Sequence, residues 1–247
     1  MTRTRRRFLG AVAGATTVGA AGCLGGGQGS DDSAPATDES GESDGDGGSN
    51  GSGSGNTLGS HPATTGLDGQ PRLGPPPGEA AGTIVAFEDP SCHRCRVFEE
   101  QTAPRIRSEL VDPGDATLVF RGFPNVYPWG EVGVRALEAT YARDADAHWA
   151  LLDHYFDEQA TFEGEGREAV LPRTREFLAA ETAVDADAVV AAVEDGAADA
   201  AVETDLAAGE EAGVNGTPTV FLFRDGEYRT QATGSVGFEF VTTALGL

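Results

Sequence analysis

The stretch Glu88-Asp89-Pro90-Ser91-Cys92-His93-Arg94-Cys95 decides the fold, because it holds the only closely spaced cysteines in a chain of 247 residues. It follows the apolar, partly β-branched run Thr83-Ile84-Val85-Ala86-Phe87, which predicts a buried strand. Beyond it, apolar residues recur at helical spacing from Val97 to Leu110. The two thiols are therefore predicted to lie where a strand turns into a helix.

This position has a chemical consequence for Cys92. Free N–H groups at a helix N-terminus, together with the helix dipole, favour an anion. His93, when protonated, and Arg94 place cations beside the sulfur, whereas Glu88 and Asp89 place carboxylates near it. We expect Cys92 to be an exposed thiol with a lowered pKa, tuned by these four neighbours.

The N-terminal residues 1–23 indicate export. Thr4-Arg5-Arg6-Arg7-Phe8-Leu9 resembles a twin-arginine export signal, with Arg5 and Arg6 as its pair, and the apolar segment after it is short for a membrane span. Ala20-Ala21-Gly22-Cys23 is similar to the lipobox of exported lipoproteins, in which the cysteine becomes the lipidated N-terminus. We expect a lipid anchor at Cys23 and a location at the extracytoplasmic face of the cell membrane; an uncleaved anchor and a basic tail are the alternatives.

Residues 24–78 are rich in glycine, serine, aspartate and glutamate, a composition that predicts a disordered acidic tether. The folded domain is predicted at residues 79–247. Its pattern gives a strand, a helix kinked at Pro104, a second strand, a helical block at about 128–212, then two strands and a closing helix. The expected class is α/β, in the order βαβ, helices, ββα.

Four motifs in this order carry a family resemblance: residues 87–95, Arg121-Gly122-Phe123-Pro124, His148-Trp149 with His154, and Val214-Asn215-Gly216-Thr217-Pro218-Thr219. Together they resemble DsbA-like thiol-disulfide oxidoreductases, which have a thioredoxin fold with an inserted helical domain. The resemblance implies that Cys92 is the nucleophile and Cys95 the resolving thiol. It also implies a cis Pro218 beside the disulfide, with the Thr217 backbone offered to substrate.

Ala86 departs from the pattern of this family. Members often carry a buried acid six residues before the first cysteine, and here that position holds an alanine. Glu88, Asp89 or water would have to replace it.

The function expected from these residues is extracytoplasmic thiol-disulfide exchange, in the oxidising direction, through a redox-active Cys92–Cys95 disulfide with no other cofactor and no metal. Partners would be exported protein thiols or disulfides and a membrane redox protein that recycles the pair. We expect a monomer that does not bind nucleic acid, because the net charge is −23. Two alternatives keep the redox chemistry, namely a reductase and an isomerase. The others are a chaperone-like binding module with idle thiols, a purely structural disulfide, and thiol-based copper delivery through His93, His148 or His154.

The composition predicts adaptation to salt. The chain has seventeen Lys and Arg residues together, all of them arginine, against forty Asp and Glu, which is typical of halophilic archaea. At about 1 M salt the Debye length is about 3 Å, so such a surface no longer repels itself. We expect the near-UV circular dichroism to be lost on dialysis into low salt; an unchanged spectrum would contradict this prediction.

Overall fold

The computed structural model describes residues 56–247. Within this range five strands form one mixed sheet in the order β1-β3-β2-β4-β5. The strands are β1 (Arg72–Leu73), β2 (Gly82–Glu88), β3 (Ala116–Gly122), β4 (Thr219–Arg224) and β5 (Glu227–Thr233). The helices are α1 (His93–Gln101), α2 (Ala103–Ile106), α3 (Pro128–Tyr141), α4 (Ala145–Asp157), α5 (Gln159–Glu165), α6 (Val170–Glu181), α7 (Ala186–Glu194), α8 (Asp199–Glu211) and α9 (Phe238–Leu245).

Strand β2 is the centre of the sheet and positions the site. It is buried along its whole length, as expected for a continuous apolar run. It pairs in parallel with β3, where Ala86 lies opposite Phe120, and antiparallel with β4, where Ala86 lies opposite Val220. Its carboxyl end therefore delivers Glu88 and the residues after it to one edge of the sheet.

The predicted helix after the cysteines is interrupted at Thr102. Helix α1 ends at Gln101, α2 begins at Ala103, and a π-helical turn, Arg107–Val111, completes the segment. Pro104 occupies the first turn of α2, where its missing N–H costs no hydrogen bond. The Thr102 hydroxyl donates to the Val236 carbonyl at 2.8 Å and fixes the break against the C-terminal part of the chain.

The predicted helical block lies between β3 and β4 and extends from α3 to α8. Within this block α4 ends at Asp157 and a separate short helix, α5, follows it; the sequence pattern did not single this helix out. Its sequence carries a single large apolar residue, Phe162, which stacks on Trp129 with ring centroids 5.2 Å apart. One buried ring is too weak a pattern to identify a helix from sequence.

The predicted boundary at residue 79 is wrong, because residues 56–78 are part of the folded domain. Leu58 N–H donates to the Gly226 carbonyl at 2.7 Å, and β1 pairs antiparallel with β3. The ring of His61 stacks on that of Tyr228, with the ring centroids 4.7 Å apart. Residues 24–55 of the predicted tether lie outside the described range, as do the predicted signal segment and Cys23.

A buried arginine holds this N-terminal segment in place. Arg121, at the end of β3, is fully buried and donates to the carbonyls of Ala63 and Thr65 at 2.9 and 2.8 Å. Its Nε donates to Asp205 Oδ1 at 2.8 Å. Because a buried guanidinium must satisfy its donors, the Arg121 of the Arg-Gly-Phe-Pro motif has a structural role.

In residues 56–247 no helix has both the length and the apolar character needed to cross a membrane.

Candidate active site

Cys92 and Cys95 lie at the start of α1, at the point where the sequence placed them. Cys92 is the N-cap residue, and Cys95 belongs to the first turn. Both are free thiols, so the structure represents the reduced form. Cys92 is 6% exposed and Cys95 is fully buried. The expectation of an exposed Cys92 is therefore wrong: the sulfur lies at the base of a groove.

The pKa of Cys92 is lowered to about 5. The largest cause is the hydrogen bond from the Cys95 thiol, and burial opposes it. The Thr217 side chain and the backbone N–H groups of Cys95 and Arg94 lower the pKa further. The N–H contribution is the effect expected of a helix N-terminus, whereas the proton held by Cys95 could not be anticipated from spacing alone. At neutral pH Cys92 is a thiolate.

Cys95 has the opposite character. Burial raises its pKa well above the ordinary value, and its hydrogen bond to Cys92 and the charge of Glu88 raise it further. The Asp89 N–H lies 3.5 Å from the Cys95 sulfur. Within one helical turn the structure thus separates a thiolate at the groove from a protonated thiol in the interior.

The segment around Pro218 meets the thiols from the other end of the domain. The Thr217–Pro218 peptide bond is cis, as the resemblance implied. The Cys92 sulfur lies 3.3 Å from the Thr217 carbonyl oxygen, and the Thr217 hydroxyl donates to Asn125 Oδ1 at 3.1 Å. Asn125 was not identified from sequence, because no motif marked the loop after Pro124.

Asp89 ties the cysteine turn to that loop. Its Oδ1 accepts from the Ser91 N–H and hydroxyl at 2.7 and 2.6 Å, and its Oδ2 accepts from the N–H groups of Asn125 and Val126, both at 2.9 Å. A Cβ at Gly130 would lie 2.3 Å from Asp89 Oδ1, so this packing requires a glycine. Asp89 is buried, and its role here is positional.

The side chains of the two predicted cationic neighbours have contacts of their own. His93 Nε2 is 3.2 Å from Glu163 Oε2, and the end of the Arg94 side chain lies against Gly234. The largest causes of the lowered Cys92 pKa do not include either side chain. Glu163 was not anticipated, because it belongs to the unpredicted helix α5.

Glu88 is buried behind the thiols, 1% exposed. Burial raises its pKa well above the ordinary value, and the neighbouring Glu99 raises it further, while Arg107 acts in the opposite direction. Ala86 is 1% exposed within an apolar cluster. Of the two carboxylic acids considered as replacements, Glu88 is the one that acts on Cys95.

A groove of about 410 Å³ opens above Cys92. Its walls are formed by the cysteine turn, the loop 125–127 and the segment before Pro218; the lining residues are Cys92, His93, Arg94, Asn125, Val126, Tyr127, Gly216 and Thr217. Val126 and Tyr127 are 47% and 40% exposed. The groove can therefore accept a polypeptide segment with apolar side chains next to the reactive sulfur.

His148 belongs to the core. It is fully buried, and its Nδ1 lies 3.1 Å from the Leu137 carbonyl oxygen. Burial lowers its pKa to about 4. Among residues 56–247, no group of three or more His, Cys, Asp or Glu side chains is arranged to hold a metal ion.

Comparison with known proteins places these features in a family. A family model described as "Thioredoxin" matches residues 69–233, which is more than half of the chain. "Disulfide bond formation protein D" of Bacillus subtilis is 31% identical over 102 residues, and a "Probable disulfide bond formation protein D" of Bacillus cereus is 32% identical over 81 residues. These matches cover 40% and 33% of this chain, and the chain spans only 44% and 38% of those relatives' own lengths.

The fold agrees with a solved structure. The crystal structure of oxidised BdbD from Bacillus subtilis superposes with a TM-score of 0.64 at 20% identity, covering 73% of this chain and 92% of that one. The predicted α/β architecture, a thioredoxin fold with a helical insertion, is confirmed. With the family model matched from the first strand to the last, the chain belongs to the thioredoxin family.

Proposed function

We propose that this protein is an extracytoplasmic thiol-disulfide oxidoreductase that works as an oxidant and donates its Cys92–Cys95 disulfide to exported proteins. The observation that carries this proposal is the lowered pKa of Cys92, about 5, next to a buried Cys95 whose pKa is raised. A reduced form stabilised as a thiolate is the weaker reductant, so its disulfide is the stronger oxidant. The names of the Bacillus relatives, which refer to disulfide bond formation, support the same chemistry.

The reaction follows from the positions of the two sulfurs. A substrate thiolate in the groove attacks the Cys92 sulfur, the Cys92–Cys95 bond breaks, and Cys95 leaves and gains a proton. A second substrate thiolate then attacks the substrate sulfur of the mixed disulfide, and Cys92 leaves as a thiolate. The substrate loses two electrons and the enzyme gains them. Because a low-pKa thiolate leaves readily, the second step favours release of an oxidised substrate.

The groove supports contact with an extended segment of substrate. Backbone groups at Thr217 border the Cys92 sulfur, so a substrate strand can align there by backbone hydrogen bonds, which are independent of side-chain sequence. The exposed Val126 and Tyr127 provide apolar surface beside it. This arrangement suits a broad range of exported substrates. A membrane redox partner would reoxidise the pair, and no further cofactor is part of the proposal.

The reduction potential tests the direction of exchange. We expect the full chain carrying Cys23→Ser, equilibrated against thiol buffers in molar salt, to give a value near about −120 mV, as for strongly oxidising relatives. The physical reason is the thiolate stabilisation of reduced Cys92. A value near about −270 mV would contradict an oxidising role and indicate a reductase that needs a source of electrons.

Trapping of mixed disulfides tests exchange itself. In Cys95→Ser the resolving thiol is absent, so we expect substrates to accumulate as mixed disulfides with Cys92 that reducing agent releases on a gel. Cys92→Ser is the matched control and should trap far less, because the remaining thiol is buried. Equal trapping by both variants, or substrate binding that needs neither thiol, would instead favour a binding module with idle cysteines.

Export and anchoring complete the proposal and rest on residues outside the described range. We infer a twin-arginine signal at Arg5-Arg6 and lipidation at Cys23, with the acidic surface suited to a salt-rich medium. Two acyl chains would anchor the protein stably.

We expect Cys23→Ser to move the protein from the membrane fraction to the soluble fraction of the host, while the control Ser30→Ala leaves it membrane-bound. A Cys23→Ser variant that stays with the membrane would contradict lipid anchoring.

A further inference from the structure

Two buried carboxyl groups, those of Glu88 and Glu99, lie behind the thiols. Glu88 ends β2 and is 1% exposed; Glu99 is on α1 and is 8% exposed. No protein group within residues 56–247 donates to Glu88 Oε2. Two neighbouring carboxylates cannot both stay charged away from water. Burial therefore favours a proton on one of the two carboxyl groups.

Arg107 makes the two carboxyl groups unequal. Its Nη2 donates to Glu99 Oε2 at 2.6 Å, and its Nη1 lies 3.4 Å from Asp153 Oδ1 on α4. The guanidinium thus favours the charged form of Glu99, whereas burial and the neighbouring Glu99 favour the protonated form of Glu88. Burial is the main reason that the pKa of each glutamate is raised.

The charged and titratable groups that act on Glu88 come from α1 and from the turn after α2. Cys92, Cys95 and Glu99 lie on or at the start of α1, and Arg107 belongs to the π-helical turn after α2. Of these, only Arg107 lowers the Glu88 pKa, and the charge of Glu88 in turn raises the pKa of Cys95. The protonation equilibria of Glu88 and Cys95 are therefore linked, because a charged Glu88 raises the pKa of Cys95.

Glu99 lines a cleft that is separate from the groove above Cys92. A cleft of about 260 Å³ is lined by Glu99, Glu100, Pro104, Arg107, Asp153, Phe156 and Asp157. It shares no lining residue with the groove above Cys92. A substrate that covers the groove would leave this cleft open to water.

We propose that Glu88 and Glu99 carry the proton of Cys95 between its sulfur and this cleft. The inference rests on the proposed thiol-disulfide exchange. When a substrate thiolate opens the Cys92–Cys95 bond, the departing Cys95 thiolate takes the proton from Glu88, whose carboxylate is reprotonated from the cleft through Glu99. In the reverse step, Glu88 first releases its proton through Glu99 to the cleft, and its carboxylate takes the proton of Cys95. The Cys95 thiolate then attacks the Cys92 sulfur of a mixed disulfide and expels the partner thiolate. Each step moves one proton and two electrons.

The position of Glu88 explains how the chain functions with Ala86. Side chains two residues apart on a strand point to the same face, so residues 86 and 88 both lie beneath α1. Ala86 lies in an apolar cluster with Phe98 and Ile106, whereas Glu88 is at the polar end of β2. The carboxyl group is thus displaced along the same face of the strand to the position nearest Glu99 and the cleft.

The test measures the attack by Cys95. The reduced full chain carrying Cys23→Ser has two thiols, and 5,5′-dithiobis(2-nitrobenzoate) forms a mixed disulfide with Cys92; the release of the second chromophoric thiolate then reports the Cys95 step. Wild type in this background should show a rate that falls as pH drops through the pKa of Glu88. Glu88→Gln should be about 100-fold slower than this background at a pH above that inflection, as for loss of a general base, and should lack the inflection.

Matched variants separate proton transfer from damage to the fold. Glu109→Gln removes a carboxylate exposed on the neighbouring turn and should leave the rate and pH profile unchanged. Glu88→Asp keeps a carboxyl group and should retain the inflection. Cys92 in Glu88→Gln should still be alkylated as a low-pKa thiolate, which shows an intact active site, and the infrared carbonyl band of a protonated carboxylic acid should be lost.

Two outcomes separate this inference from the proposed function. A Glu88→Gln variant with the wild-type rate and pH profile would overturn proton transfer through Glu88 and leave thiol-disulfide exchange in place. A loss of rate in Glu109→Gln equal to that in Glu88→Gln would overturn it as well. If the wild-type background never expels the second thiolate, thiol exchange between Cys92 and Cys95 itself fails.

Discussion

The end of a fully buried strand is the constraint on which this site depends. Strand β2 lies between β3 and β4 with both faces covered, so any side chain at its carboxyl end is removed from water. Glu88 and Asp89 occupy that end, and each meets the cost of burial differently. Asp89 accepts four hydrogen bonds from the neighbouring turn and loop. Glu88 has no such set of donors and responds with a raised pKa.

The same burial gives the two cysteines different tasks. Cys92 borders the groove and accepts hydrogen bonds, chiefly from the Cys95 thiol and also from backbone N–H groups, that lower its pKa to about 5. Cys95 faces the interior next to a carboxyl group, so its proton is retained. The Cys92 sulfur can thus act as a nucleophile or a leaving group at neutral pH, whereas the Cys95 thiol reacts only when another group accepts its proton. Exchange at Cys92 and proton transfer at Cys95 are consequently served by different openings.

Local pattern was enough to predict the parts of the site that belong to one segment. The strand, the turn with the cysteines and the helix after it follow from one continuous run, and the long helices follow from apolar spacing. The resemblance also marked Thr217 and Pro218. What the sequence did not reveal depends on contacts between distant segments: the folded residues 56–78, Asn125 against Thr217, and Glu163 against His93. The pairing of Glu88 with Glu99 belongs to this class, since neither glutamate is distinguishable from the other acidic residues by spacing.

A second buried carboxylate, Asp205, shows why burial alone does not make a proton carrier. Asp205 is paired with the fully buried Arg121 at 2.8 Å and also accepts from the Gly122 N–H at 2.8 Å. Arg121 in turn donates to carbonyls of the N-terminal segment, so each group has fixed partners and removing one would leave a buried charge unpaired. Glu88 differs in having an unpartnered oxygen within residues 56–247, a reacting thiol on one side and a carboxylate that reaches a cleft on the other. Because Asp205 and Arg121 each have fixed hydrogen-bond partners, their role is structural. Glu88 has an unpartnered oxygen within residues 56–247 and a neighbouring carboxylate that lines a cleft, so it can exchange a proton with solvent.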